Sequence, residues 1–231
     1  MKTQYFFVLL LFIINKSYSQ FNEIKNFQKQ IIENEITGSN TAMIYKDGKT
    51  LFYNIENSGK KGDKNISNQS YKPNLETIFP IWSMSKPITI VAMMILRERG
   101  MISIDDNLSK YIPEFKNMTC KGEKGKYPCK KEIKIIHLLT HRSGFGYYSD
   151  QGYGYGFTNT LTYNNLKDFA EDLSKVELEF EPGEKYYYGL NQALLGRVVE
   201  IVSKKSFYDF LKDEIFDPLK MTETKFYLTE N

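Results

Sequence analysis

The segment Phe79-Pro80-Ile81-Trp82-Ser83-Met84-Ser85-Lys86-Pro87 marks a change in the character of the chain. Ile88, Ile90, Val91, Ala92, Met93, Met94, Ile95 and Leu96 follow it and cover every face of a helix, which predicts a buried one. Pro87 has no N–H and is tolerated only in a first turn, so the helix is expected to start near Ser83. Gly100 is its natural stop. On such a helix Ser83 and Lys86 lie one turn apart on the same face. A serine hydroxyl is a weak nucleophile until a neighbouring base takes its proton. A lysine desolvated by so apolar a helix is expected to have a lowered pKa. The helix N-terminus adds backbone N–H groups where an oxyanion could form. The Ser-x-x-Lys spacing alone decides nothing. Read structurally, Ser83 is an N-cap and Lys86 a solvated first-turn lysine. The same spacing occurs at Ser58-Gly59-Lys60-Lys61, in a polar stretch with nothing to bury its lysine.

Upstream, residues 21–35 carry Phe21, Ile24, Phe27, Ile31 and Ile32 at amphipathic-helix spacing. Residues 41–45 and 50–55 are β-rich and are joined through Lys46-Asp47-Gly48-Lys49, a strong hairpin signal. Residues 57–72 are polar and read as a surface loop. Downstream, helices are expected at 133–140, 166–173, 192–203 and 207–215, the third strongly apolar. The Gly/Tyr-rich stretch 144–156 reads as a loop near a surface or cleft. Two strands followed by a series of helices predict an α+β fold with only a small part of its sheet present.

The chain has 231 residues, 31 Lys+Arg against 28 Asp+Glu, and an aromatic share of 15%. That length fits one large domain or two small ones. Residues 1–20, MKTQYFFVLLLFIINKSYSQ, follow signal-peptide grammar: Lys2, an apolar run at 6–14, and small residues Ser17 and Ser19 before a cut. The run falls far short of the ~20 residues that span a bilayer. Residues 1–19 are therefore expected to be a leader and 20–231 an exported domain, periplasmic or extracellular, without a transmembrane anchor. Losing Lys2 and Lys16 brings the net charge from +3 to +1. A balance so near zero gives no reason to propose a nucleic-acid or anionic-membrane partner, and nothing in the sequence bears on oligomeric state. Cys120 and Cys129 are the only cysteines and, in an oxidising compartment, are expected to form a disulfide; two free thiols or half of a metal site are the alternatives. His137 and His141 are four apart, but a zinc protease would want Glu where Leu138 stands. A Ser-His-Asp triad remains compatible with composition.

The segment TIFPIWSMSKPITIVAMMILRERGMISIDDNLSKYIPEF (77–115) resembles the serine β-lactamase-related hydrolases: class C β-lactamases, low-molecular-weight penicillin-binding proteins and family VIII esterases. The resemblance continues in order through HLLTHRSGF (137–145), EPGEKYYYGLNQALLGRVVEIVS (181–203) and IFDPLKMTETKF (215–226). It implies a β-lactamase/transpeptidase-like fold, an antiparallel sheet flanked by helices plus a helical subdomain. Ser83 then looks like the acylated nucleophile, Lys86 its motif lysine and Tyr188 the second-motif general base; the two histidines become structural. Two after that tyrosine, class C β-lactamases have Asn where this chain has Leu190, a departure similar to the esterase branch. A literal Tyr-x-Asn occurs at Tyr163-Asn164-Asn165, but there Asn164 or Asn165 reads as a helix cap. The third motif, Lys-Ser/Thr-Gly or His-x-Gly on a later strand, is spelled nowhere after Tyr188. The expectation is thus a C-terminally truncated member whose remaining sheet strands are absent. The implied function is hydrolysis of a small-molecule ester, a β-lactam or a cell-wall peptide through an acyl-enzyme on Ser83, with no metal or organic cofactor. The rivals are a non-catalytic binding protein on the same scaffold and an inactive gene fragment.

Overall fold

The computed structural model describes residues 21–58, 73–149, 152–153 and 163–226. The proposed leader lies outside them. The chain forms two compact units, Met1–Phe79 and Pro80–Asn231.

In the first unit, helix α1 (Asn22–Glu33) accompanies an antiparallel pair, β1 (Ser39–Lys46) and β2 (Lys49–Asn57). Asp47 (φ 51°) and Gly48 (φ 74°) both lie in the left-handed region, which is the type I′ turn that matches strand twist in a two-residue hairpin. The register slips between Ile44 and Tyr45. Gln28 of α1 is buried and spends its amide on both strands. Its Nε2 donates to Asn40 Oδ1 (2.7 Å), and its Oε1 accepts from Asn54 Nδ2 (3.2 Å). A buried amide costs little only when donor and acceptor are both matched, so this pairing fixes the helix on the hairpin.

The second unit is helical. A 3₁₀ turn (Trp82–Ser85) runs into α2 (Lys86–Glu98), with Pro87 in the first helical turn as expected. Then come α3 (Ile135–Leu139), α4 (Leu166–Leu173), α5 (Asn191–Ser203) and α6 (Phe207–Leu211), the last continuing through one π turn (Lys212–Phe216). Asn165 caps α4, its Oδ1 accepting the Asp168 N–H at 2.9 Å, which is the cap role read from the sequence. Helix α5 is central and touches α2, α3, α4 and α6. Leu194, Leu195, Val198 and Val199 on it are fully buried. Gly196 lets Leu166 and Phe207 close on the helix: a Cβ there would stand 3.0–3.1 Å from both.

Helix α2 departs from the expectation of burial on every face. Thr89, Ala92, Met93 and Leu96 form the buried stripe at i, i+3, i+4 and i+7, whereas Val91 is 47% exposed. The physical reason is that α5 and α6 pack on one part of the helix and leave the rest uncovered.

Two short hairpins also belong to the described part of the unit. β3 (Thr119–Cys120) pairs with β4 (Tyr127–Pro128), and Cys120 and Cys129 are disulfide-bonded with Cα atoms 5.1 Å apart. This strap is sewn to residues 178–181. Leu178 N–H reaches Thr119 O and Lys121 N–H reaches Leu178 O, both at 2.8 Å, while the Glu181 carboxylate accepts from the N–H groups of Lys130 and Lys131. β5 (Tyr148–Ser149) pairs with β6 (Gly152–Tyr153) inside the stretch expected to be a loop, the rest of which (150–151 and 154–156) lies outside the described residues. Among the described residues the sheets are all two-stranded, and no described helix is long and apolar enough to cross a membrane.

Candidate active site

Ser83 stands in the 3₁₀ turn, one step before α2, and is exposed. The residue before it, Trp82, has φ 45° and is 82% exposed. A bulky side chain in that region is a strained arrangement, and such strain is commonest where function fixes the backbone. The N-cap reading of Ser83 is not what the structure has: its hydroxyl makes no cap bond. It instead accepts a hydrogen bond from Lys86 Nζ at 2.9 Å. The tight turn and the first turn of α2 thus put the two side chains on one face. For the second Ser-x-x-Lys match, Ser58 follows β2, and its lysine lies outside the described residues.

Tyr188 comes to the same place from the turn before α5. Its ring centre lies 4.8 Å from Lys86 Nζ. Tyr147, which sequence reasoning passed over, lies beside Tyr188, 5.9 Å from the same nitrogen and 5.5 Å ring to ring from Tyr188. Two glycines allow this approach. A Cβ on Gly189 would fall on the backbone of Phe145 and Gly146, and one on Gly146 would fall on the Tyr187 ring. The Gly-Phe-Gly-Tyr spacing at 144–147 is the one signal that could have pointed to Tyr147.

The electrostatics correct one expectation. Burial pulls the Lys86 ammonium down, but hydrogen bonding to Tyr188 and Tyr147 more than offsets it, so Lys86 sits above the ordinary lysine value, not below it. Tyr188 moves the opposite way: hydrogen bonding to Lys86 and then to Ser83 holds its phenol below the usual tyrosine value, against the opposing effect of burial. Leu190, standing where class C enzymes have Asn, is buried, and the asparagine of this segment is Asn191, turned into the core.

The histidines go separate ways. His137 Nδ1 accepts the Lys134 N–H at 3.2 Å in the first turn of α3. His141, at φ 54°, lies under Tyr188, ring centres 4.6 Å apart. Neither reaches Ser83 by any described contact. Tyr163 lies elsewhere, its hydroxyl donating to Asp172 at 3.0 Å. Among the described residues no group of three or more His, Cys, Asp or Glu side chains could hold a metal ion. An apolar cavity of about 450 Å³, lined by Ile81, Trp82, Ser85, Ile88, Phe207 and Phe216, lies on the Ser85 side of the turn and includes none of Ser83, Lys86 and Tyr188.

The beta-lactamase family model matches residues 26–231. Protein flp of Staphylococcus aureus (strain N315) is 30% identical over 220 residues, 95% of this chain and 40% of that protein. Esterase EstB of Burkholderia gladioli is 27% identical over 212 residues, 88% of this chain and 50% of the relative. Among solved structures, EstCE1, described as a hydrolase with promiscuous acyltransferase activity, superposes with a TM-score of 0.77 at 26% identity, over 94% of this chain and 55% of its own. The chain therefore spans about half the length of the relatives it matches. With a match over most of its length and Ser83, Lys86 and Tyr188 gathered at one helix start, the chain belongs to the beta-lactamase family of serine hydrolases.

Proposed function

We propose that this chain carries the acylation half-site of an exported serine hydrolase in which Ser83 is the nucleophile, Tyr188 the base and Lys86 the cation that sustains it. The observation that carries the reading is the pair of contacts made by Lys86: its Nζ donates to Ser83 Oγ at 2.9 Å and stands against Tyr188. An ammonium donating to Oγ occupies a lone pair there and cannot also take the hydroxyl proton. That leaves the proton for the phenolate of Tyr188, which Lys86 favours by holding the phenol's pKa down. Oγ then attacks a carbonyl carbon as its proton passes to the Tyr188 oxygen. The same proton goes to the leaving alcohol or amine as the tetrahedral adduct collapses, and water later releases the acyl group by the reverse transfer.

The substrate class is an ester or amide, with a β-lactam or cell-wall peptide as the other members of the same chemistry; Leu190 and the likeness to esterases favour an ester. Export is part of the proposal, motivated by the residues 1–19 pattern and by the disulfide, which persists in an oxidising compartment. The test is labelling by a fluorophosphonate or penicillin-type probe. Wild type and Ser58→Ala should take the label and Ser83→Ala should not. Label retained without Ser83 refutes the nucleophile. No label on a folded wild-type chain favours a binding role on the same scaffold.

A further inference from the structure

We propose that His141 is a positioning residue: the unprotonated Nδ1 of its neutral ring holds the 187–191 turn and so places the Tyr188 phenol. The inference rests on the reading of Tyr188 as the base.

Tyr188 belongs to a turn with no regular hydrogen-bond ladder of its own, just ahead of α5. Its position must come from what grips that turn, and His141 grips it at four points. The His141 carbonyl accepts the Tyr187 N–H at 2.8 Å. Its Nδ1 accepts the Gly189 N–H at 3.3 Å and meets Asn191 Nδ2 at 2.9 Å. Its ring lies on Tyr188 at 4.6 Å, tilted by 36°.

The tautomer follows from the partners. Asn191 Oδ1 accepts from the Ser143 hydroxyl, and Ser143 Oγ accepts the Phe145 N–H at 3.1 Å. With its carbonyl end engaged, Asn191 turns its NH₂ to the imidazole, and an amide NH₂ only donates. Two donors therefore converge on Nδ1, so that nitrogen is a lone pair and the ring proton is on Nε2. Ser143 and Asn191 are fully buried and His141 nearly so, which makes an unmatched donor there costly. Protonating Nδ1 would set an N–H against two donors and a second cation beside Lys86. The groups facing His141 among the described residues are Lys86, the phenols of Tyr188 and Tyr186, and the neutral Asn191. Burial and then Lys86 hold its pKa below the ordinary histidine value, in agreement with that arrangement. Proton uptake at low pH should loosen the turn and displace the phenol.

Asparagine is the discriminating replacement. Its Oδ1 reaches the place of Nδ1, it accepts two hydrogen bonds, and it tolerates the left-handed backbone found here. The experiment uses the full chain with ¹⁵N-labelled histidine and ¹³C-labelled tyrosine rings, the His141 signals being assigned by comparison with His137→Gln. An Nε2–H tautomer is expected for His141. His141→Asn, which keeps the acceptor and loses the ring, should label with a fluorophosphonate within about threefold of wild type at neutral pH. The acid step that coincides with His141 titration in wild type should be missing from it. His141→Leu should label at least ~10-fold more slowly, with Tyr188 signals displaced from those of His141→Asn. An Nδ1–H tautomer overturns the proposal. So does a folded His141→Leu that labels like wild type, or an acid step unchanged in His141→Asn. Should His141→Leu fail to fold, the tautomer and the His141→Asn profile decide. A chain that takes no probe, yet shows the tautomer and Tyr188 signals that separate His141→Asn from His141→Leu, refutes the hydrolase reading and upholds the positioning.

Discussion

Lys86 and Tyr188 displace each other's titration in opposite directions: the ammonium, 4.8 Å from the ring centre, is held above its usual value and the phenol below. A depressed phenol has more of its basic form at a given pH, so the pair extends basicity toward neutrality. Replacing Lys86 by Met removes the largest cause of the depression. The acid limb of the acylation rate should then move to higher pH, and the rate at neutral pH should fall by at least ~10²-fold, as for loss of general-base assistance. Rate–pH profiles of the two proteins with a fluorophosphonate probe check this. An unmoved limb would separate Lys86 from the base.

Tyr188→Phe and Tyr163→Phe form a matched pair. The first removes the proposed base and should lower the acylation rate by at least ~10²-fold with the fold intact. The second removes a hydroxyl that donates to Asp172 at 3.0 Å, far from Ser83 in its contacts. It should cost roughly 0.5–1.5 kcal/mol of stability and leave labelling unchanged. Circular dichroism melts alongside the labelling rates distinguish the two effects. Equal loss of rate in both variants would leave Tyr188 without a special role.

The acid stability of the second unit should depend on Asp106. Its carboxylate accepts from Tyr111 Oη (2.5 Å), the Ser103 N–H (2.8 Å) and Lys110 Nζ (2.9 Å). Burial alone would raise this carboxyl; the bonds from Tyr111, Ser103 and Lys110 prevail and hold it at about 2. A carboxyl depressed in the folded state contributes its full stability above the unfolded value near 4 and loses it as pH falls toward 2. Allowing for partial solvent exposure, the contribution is roughly 1–2 kcal/mol. Asp106→Asn should therefore be less stable than wild type at pH 7 by about that amount, the gap closing between pH 4 and pH 2 in urea titrations. A gap independent of pH would assign the loss to packing instead.

How much of this was legible beforehand depended on how local the cause was. The hairpin at Asp47-Gly48, the α4 cap at Asn165 and the start of the Ser83 helix are each decided within a few residues, and the structure has all three. The one-sided burial of α2 was not legible: the apolar run 88–96 is uniform, and the placement of α5 and α6, distant in sequence, decides which side is covered. Tyr147 and His141 escaped for the same reason. Their part in the site follows from the close passage of Gly146 against Tyr187 and of Gly189 against Phe145, a contact between segments some 40 residues apart. The Lys86 shift runs against the sequence expectation because desolvation by the helix is local and visible, whereas the two phenols that outweigh it come from elsewhere in the chain.

Reducing the disulfide should weaken the fold without disabling the site. Cys120 and Cys129 are nine residues apart, so opening the bridge frees a short loop of the unfolded chain. The chain-entropy model puts that at roughly 2–3 kcal/mol. The folded strap has other fasteners. Cys129 N–H reaches Met118 O at 2.9 Å, the 119–121 backbone exchanges two bonds with Leu178, and Glu181 holds the N–H groups of Lys130 and Lys131. These keep residues 178–181, and with them the approach to Tyr188, in place after reduction. Treatment with a phosphine reductant should lower the urea midpoint while the fluorophosphonate labelling rate of the remaining folded protein stays within about twofold. In a Glu181→Gln background, which weakens the charge-assisted bonds to the strap, reduction should cost labelling as well. A wild-type rate that collapses on reduction under conditions where the protein stays folded would mean that the bridge itself, and not the bonds around it, holds the strap against residues 178–181.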